Sequence, residues 1–283
     1  MPPRSNPTAR QGRLGAELRK MREAAGVTAR EAAALLGSGP TQVSHIEAGR
    51  FGVSEDRLRG LAAFYACDDR RLVDALVAMA NERGRGWWEE YRGTLAPKAL
   101  DLAELEHHAT GLRTLEIAHI PGLLQTEEHV RAAFAYVEPE LPSSELDSRV
   151  AYRMRRQAVI DRAPPLPYDV VIHEAALRIK VGGTAVARAQ LEHILGASDR
   201  ENVTVRVIPF TADDFAGAGH SMLFVRGPVP QLDTVQLDAA HGSTFLDAEP
   251  QLKRYRTRLD RVGRSALAPA TSRELIHRIA QEM

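Results

Sequence analysis

The chain has 283 residues, 44% hydrophobic and 26% charged, with Lys/Arg and Asp/Glu balanced at 37 each. This is the composition of a globular protein with room for two modest cores, and the single cysteine, Cys67, excludes an intramolecular disulfide framework. No stretch approaches the ~20 apolar residues of a membrane helix, and the N-terminus lacks the apolar segment of a secretory signal, so a cytoplasmic protein with no membrane partner is expected.

The balanced charge hides an asymmetry. Residues 1–30 hold seven Lys/Arg against two Glu, whereas residues 98–147 hold three Lys/Arg against ten Asp/Glu. A basic head before an acidic segment suits a phosphate-binding module joined to a body that does not bind phosphate.

Residues 1–11, with three prolines and no periodicity, read as a disordered arm. From residue 12 to 82 the pattern is helical throughout. Leu14, Leu18 and Met21 share one face of a first helix that Gly26 ends. Thr28-Ala-Arg-Glu31 is a capping box for a short second helix ending at Leu36-Gly37. Gly39-Pro40 starts a third helix, with Val43 and Ile46 inward and Gly49 as its stop. Ser54 caps a fourth helix with Leu58, Leu61, Ala62 and Tyr65 inward. Asp68 opens a fifth with Leu72, Leu76 and Met79 inward. Cys67, in an apolar run, is expected to be a buried structural thiol.

Residues 83–97 form a junction containing both tryptophans, Trp87 and Trp88, expected to pack the two domains together, with a ligand pocket as the alternative. Over residues 98–283 helices and strands mix. Val203–Ile208 alternates with a period of two, the clearest strand signal. Leu112–Ile120, Asp169–His173, Met222–Val225 and Thr234–Leu237 are further strand candidates. Helices are expected over Thr126–Ala135, Ser143–Ile160, Ala185–Leu195, Ala248–Val262 and Thr271–Ala280. The fold class is therefore α+β overall: an all-α five-helix domain, then an α+β domain.

Several constellations fall short of chemistry. In Glu104-Leu-Glu106-His107-His108 the adjacent histidines point about 100° apart on a helix, and Glu104 with His108 supplies two ligands where zinc needs three or four. His173-Glu174-Ala-Ala-Leu177 lacks the second histidine of a zincin helix, and Gly219-His220-Ser221-Met222-Leu223 lacks the closing glycine of a nucleophile elbow. Gly182-Gly183 and Phe215–Gly219 read as turns. No catalytic residue, metal site or cofactor is expected, and the chain is not expected to be an enzyme. Arg254, Arg256, Arg258, Arg261 and Arg264 form a basic stretch, either a solvated face or, through Arg254, Arg256 and Arg258, a docking surface for an acidic partner.

Residues 13–80 resemble the xenobiotic-response-element type of helix-turn-helix. The residues that carry the resemblance are Leu14-Gly-x-x-Leu18-Arg-x-x-Arg22-Glu23, Ala32 with Leu36-Gly37, and Val43-Ser-His-Ile-Glu-Ala-Gly49. Residues from about Gly86 onward resemble the C-terminal domain of actinobacterial WhiJ-like regulators, through Trp87-Trp88, Pro121-Gly-Leu-Leu-Gln-Thr126, Glu174-Ala-Ala-Leu-Arg178, Val181-Gly-Gly183, Asn202-Val-Thr-Val-Arg-Val-Ile-Pro209 and Phe245-Leu-Asp247. The resemblance implies a homodimeric transcription regulator of development or antibiotic production that binds double-stranded DNA. Its second domain would sense a ligand or a partner protein. The alternative is a two-gene, toxin-antitoxin-like pair with a small acidic protein encoded nearby, where DNA binding serves autoregulation. By the same resemblance Thr41, Gln42, Ser44 and His45 face the groove, Arg13 and Arg50 meet phosphates, and Thr28 presents a helix N-terminus to a phosphate. Three positions depart from the family: Ala29 and Pro40 stand where glutamine is usual, and Ala48 where asparagine is usual.

Overall fold

The computed structural model describes residues 4, 6–82, 84, 86–213, 215, 220–239 and 242–283. Residues 1–3 and 5 of the expected arm, Arg83 and Arg85 of the expected junction, and residues 216–219 of the glycine-bearing loop lie outside the described residues. The chain divides into two units, Met1–Arg92 with Ala96–Leu105, and Gly93–Leu95 with Glu106–Met283.

The first unit begins with α1 (Ala9–Ala24), α2 (Ala29–Leu35), α3 (Pro40–Glu47), α4 (Glu55–Phe64) and α5 (Arg70–Asn81). Helix α1 starts well before Leu14, inside the expected disordered arm. The reason is a second capping box: the Thr8 hydroxyl accepts from the Gln11 amide while the Gln11 side chain accepts from the Thr8 amide. The capping box read at Thr28 and Glu31 is present. Ser54 stands at the N-cap of α4 but makes no side-chain capping bond. Asp69, not Asp68, caps α5, accepting from the Leu72 amide at 3.0 Å. Leu18, Ala32, Val43, Leu58, Leu61 and Leu76 are buried, and Cys67 is only half-buried. Beyond α5 a 3₁₀ turn over Trp87–Tyr91 buries Trp88, and α6 (Pro97–His107), which no sequence periodicity announces, belongs to this unit as far as Leu105. The Asp101 carboxylate accepts from the Ala9 amide at 2.9 Å, tying α6 to the start of α1.

The second unit holds β1 (Gly111–Glu116), α7 (Glu127–Val137), α8 (Ser143–Gln157), β2 (Tyr168–His173), α9 (Glu174–Arg178), α10 (Thr184–Ala197), β3 (Val203–Ile208), β4 (Met222–Arg226), β5 (Thr234–Ala239), β6 (Gly242–Leu246), α11 (Glu249–Ser265) and α12 (Pro269–Gln281). The six strands form one sheet in the order β3-β2-β1-β4-β5-β6. The β1–β2 and β2–β3 pairs are parallel and the remainder antiparallel. One face carries Leu115, Val171, Ile208, Met222, Phe224 and Val235, against which α11 packs Leu252, Leu259 and Val262. Strand alternation puts Leu112, Thr114 and Glu116 on the other face. There the Thr114 and Tyr168 hydroxyls lie 3.2 Å apart.

The expected strand over Leu112–Ile120 stops at Glu116. Strand β6 and helix α9 are additions. Five residues are too few to show a helical period, and β6 is a half-exposed edge strand without clean alternation. His173 caps α9 by accepting from the Ala175 amide through Nδ1 at 3.2 Å. The basic stretch on α11 is free only in part: Arg254, Arg261 and Arg264 are exposed and make no ion pair among the described residues. Arg256 is ion-paired to Asp233 and Glu249, both at 2.9 Å, and its guanidinium lies 5.7 Å from the Phe224 ring. Arg258 lies over Tyr255 and is half-buried, so of the three candidate docking arginines only Arg254 is exposed. The acidic segment is likewise offset in part: Arg131 pairs with Glu127 and Asp147, and Arg149 with Glu138 and Glu145. Among the described residues no helix is long and apolar enough to cross a membrane.

Candidate nucleic-acid interface

Helix α3 is seated from below by its own apolar residues and by one ion pair. Val43 and Ile46 are 2% and 4% exposed. The Arg22 guanidinium of α1 donates to both carboxylate oxygens of Glu47, at 2.6 and 2.9 Å, and a third donor reaches the Val27 carbonyl at 2.9 Å. Such a two-bond fork fixes orientation as well as distance. Burial, helped by the Glu47 charge, pushes the Tyr65 hydroxyl up to about 12, so the tyrosine stays neutral beside the fork.

Two glycines let α1 and α3 come this close. A Cβ on Gly15 would lie 2.4 Å from the Glu47 carbonyl oxygen, so only hydrogen fits. Gly49 takes φ +72°, and a Cβ there would meet the Gln11 backbone at 2.8 Å. Arg4 closes the far end, its amide bonded to the Arg50 carbonyl at 3.0 Å and its guanidinium to the Gly49 carbonyl at 3.2 Å.

At 100° per residue, a helix with Val43 and Ile46 inward points Thr41, Ser44, His45 and Ala48 outward, with Gln42 on the flank. Thr41, Ser44 and Ala48 are exposed; Gln42 and His45 are half-buried. The His45 ring lies 5.0 Å from that of Phe51, which limits its freedom, and the Ser44 hydroxyl donates back to the Pro40 carbonyl at 3.2 Å. Arg50 is exposed and makes no ion pair among the described residues. The N-terminus of α3 has no side-chain cap and no acidic residue in its first turn, so its positive end is open to an anion.

Two expected contacts change. Arg13 is 8% exposed, with Nε 2.8 Å from Glu17, so its charge is committed inside the unit rather than offered to phosphate. Thr28 is exposed, but its amide donates to Glu31 at 2.7 Å, which places a carboxylate at the end of α2 where an anion was expected. Bonds from the Thr28 hydroxyl and amide hold that carboxyl below its usual range, so it stays charged. The sequence reading missed Arg30, exposed on α2 and without an ion pair among the described residues. The signal was available, because an inward Ala32–Ala33 pair leaves Arg30 facing out.

Five short helices, with α3 braced on α1 and its polar side turned outward, make the first unit a helix-turn-helix domain, the fold that presents one helix to a DNA groove. Residues 13–76 match the family described as a helix-turn-helix domain. Residues 99–278 match the family described as "Domain of unknown function (DUF5753)", and the chain belongs to that family. No curated protein and no solved structure matches the chain.

Proposed function

We propose that the chain is a sequence-specific DNA-binding transcription regulator. In this reading the first unit is of the xenobiotic-response-element type and the second is the sensing domain of a WhiJ-like regulator. The protein works in the cytoplasm as a homodimer and is not an enzyme. The observation that carries the reading is the set Thr41, Ser44 and His45 on the solvent side, with Gln42 on its flank, of a helix braced by the Arg22–Glu47 fork. Side chains of this kind exchange hydrogen bonds with base edges, and glutamine can do so bidentately with adenine. Arg50 and Arg30 supply phosphate contacts, which add affinity without sequence preference.

A single helix-turn-helix reads few base pairs, so two copies would read half-sites about one helical turn apart. The test is recovery of genomic DNA with the tagged chain, followed by footprinting on the enriched fragments. The reading expects two protected half-sites with approximate two-fold symmetry. Enrichment no greater than that of a chain lacking residues 1–82 would contradict it.

A further inference from the structure

The second unit contains a charged cluster that its own residues leave unfinished. Arg153 of α8 is half-buried, and its only hydrogen bond among the described residues is from Nη1 to the Gln125 side-chain oxygen at 3.1 Å. Its Nε is shielded from solvent and has no partner, and it makes no ion pair among the described residues. Desolvation lowers its pKa to about 10, yet it remains a cation at any physiological pH. The guanidinium is placed with care: its carbon lies 5.5 Å from the Phe134 ring, and a Cβ on Gly122 would come within 3.0 Å of Nη1. Gln125 is fixed in turn, donating to the Ile120 carbonyl at 2.8 Å while its own carbonyl accepts from Gln157 at 2.7 Å. Gly122 and Gln125 belong to the Pro121–Thr126 segment that stands out in the sequence, and positioning Arg153 gives that segment a purpose.

Among the charges acting on the guanidinium, that of Arg156 lowers its pKa and those of Glu106 and Asp238 raise it, and Glu116 and His129 feel the Arg153 charge in turn. The carboxyl of Glu116 lies at the end of β1 beside Ser221, whose hydroxyl accepts from the Ile117 amide at 3.3 Å, and its Oε2 is shielded and unpartnered among the described residues. Burial pushes this carboxyl up to about 7, with Asp238 adding to the rise, so below neutrality Glu116 is an acid with a proton to donate. Asp238 itself accepts from Gln236 and from Ser243, the latter at 2.7 Å. His129 of α7 is buried and its Nδ1 has no partner; desolvation, with the charges of His119 and Arg153, holds its pKa at about 4. The neighbouring Arg149 is already committed to Glu138 and Glu145. Glu116 lies at the end of β1, the strand where the parallel half of the sheet meets the antiparallel half, and Asp238 near the same end of β5, two strands away.

We propose that Arg153, held by Gln125, binds the carboxylate or phosphate group of a small effector, with Glu116 and His129 completing the site. The proposal rests on the reading of the second unit as a sensor and names the chemistry that it senses. The oxyanion takes the free edge of the guanidinium as a charge-assisted pair, and the protonated Glu116 donates to it.

The test is thermal melting of the full chain against sodium succinate and sodium phosphate at constant ionic strength, with sodium chloride as control. Saturable stabilisation by succinate alone identifies a carboxylate ligand, and by phosphate alone a phosphate ligand. Arg153→Gln should weaken the effective anion by about tenfold or more, while Arg254→Gln, on an exposed arginine, should bind as wild type. If Arg153→Gln fails to fold, Glu116→Gln decides. Wild-type affinity for the effective anion, followed with succinate if both work, should fall from about pH 6 to about pH 8 as Glu116 ionises beside it, and the amide should abolish that fall. No stabilisation beyond chloride overturns the proposal, as does undiminished binding by Arg153→Gln or an unchanged pH dependence in Glu116→Gln. Melting reads the site alone. Whether the same anion alters DNA affinity reads the sensing role, so the two can fail separately.

Discussion

Arg22 and Glu47 in the first unit close a fork with bonds of 2.6 and 2.9 Å, whereas Arg153 and Glu116 in the second sense each other's charge but make no ion pair. The second unit is able to build such a fork, since Arg156 donates to both oxygens of the buried Glu106 at 2.8 and 2.5 Å. The difference therefore lies in what the two places do. A closed fork over-determines one geometry and suits a brace beneath a recognition helix. A shielded arginine without a carboxylate is costly in the empty state, and the cost is recovered when an anion arrives.

The largest expected effect breaks the closed side of this comparison. Glu47→Ala leaves the nearly buried Arg22 guanidinium with only the Val27 carbonyl and Glu23 at 3.8 Å, and should lower stability by up to ~3–5 kcal/mol in urea titration. Specific DNA binding should weaken with it, because α3 loses its brace. A loss under ~1 kcal/mol would show that the fork is a surface pair of the ordinary kind.

The next effect sharpens the open side through pH. Glu116 titrates at the ordinary glutamate value of 4.5 when unfolded and is pushed up to about 7 when folded. Between those values the folded state holds a proton that the unfolded state has lost. Its contribution to stability therefore falls as pH rises from about 4.5 to about 7, and is flat above, by an amount on the order of 1–3 kcal/mol. Denaturant midpoints of wild type and Glu116→Gln across this range should converge at low pH and separate at neutral pH, with the amide the more stable. Parallel curves would mean that the carboxyl is not shifted.

The smallest effect compares the two arginines by one substitution. Arg153→Met removes an unpaired charge and keeps most of the volume, so the ligand-free chain should be unchanged or gain up to ~1 kcal/mol. Arg22→Met should instead destabilise, because Glu47 is then stranded. Equal losses from both would erase the distinction.

The closed side was the more legible in sequence. Capping at Thr28, the turn at Leu36-Gly37 and the inward Val43 and Ile46 follow from local chemistry, and the structure has all of them. The Thr8–Gln11 box was equally local, but the prolines around it dominated the reading of residues 1–11. Arg13 and Glu17, four apart on α1, could have been read as a pair. The committed state of Arg256 was not legible, because it depends on where the distant Asp233 places its carboxylate, and a row of basic letters looks the same whether paired or free. The cluster at Arg153 is the extreme case. It joins Gly122, Gln125, Arg153, Ser221 and Asp238 across more than a hundred positions, and no periodicity links them. β6 was hidden for a related reason: a half-exposed edge strand has no strict alternation to show.

The most direct measurement of the account is competition binding of wild type, Gln42→Ala and Arg50→Ala to the enriched fragment and to its single-base variants, over a range of salt. Gln42→Ala should cost ~1–3 kcal/mol on the preferred site and flatten discrimination at one base pair per half-site, leaving the salt slope intact. Arg50→Ala should weaken all sequences alike and reduce the salt slope by about one. Unchanged base preference in Gln42→Ala, together with an unchanged slope in Arg50→Ala, would contradict the assignment of α3 as the reading helix.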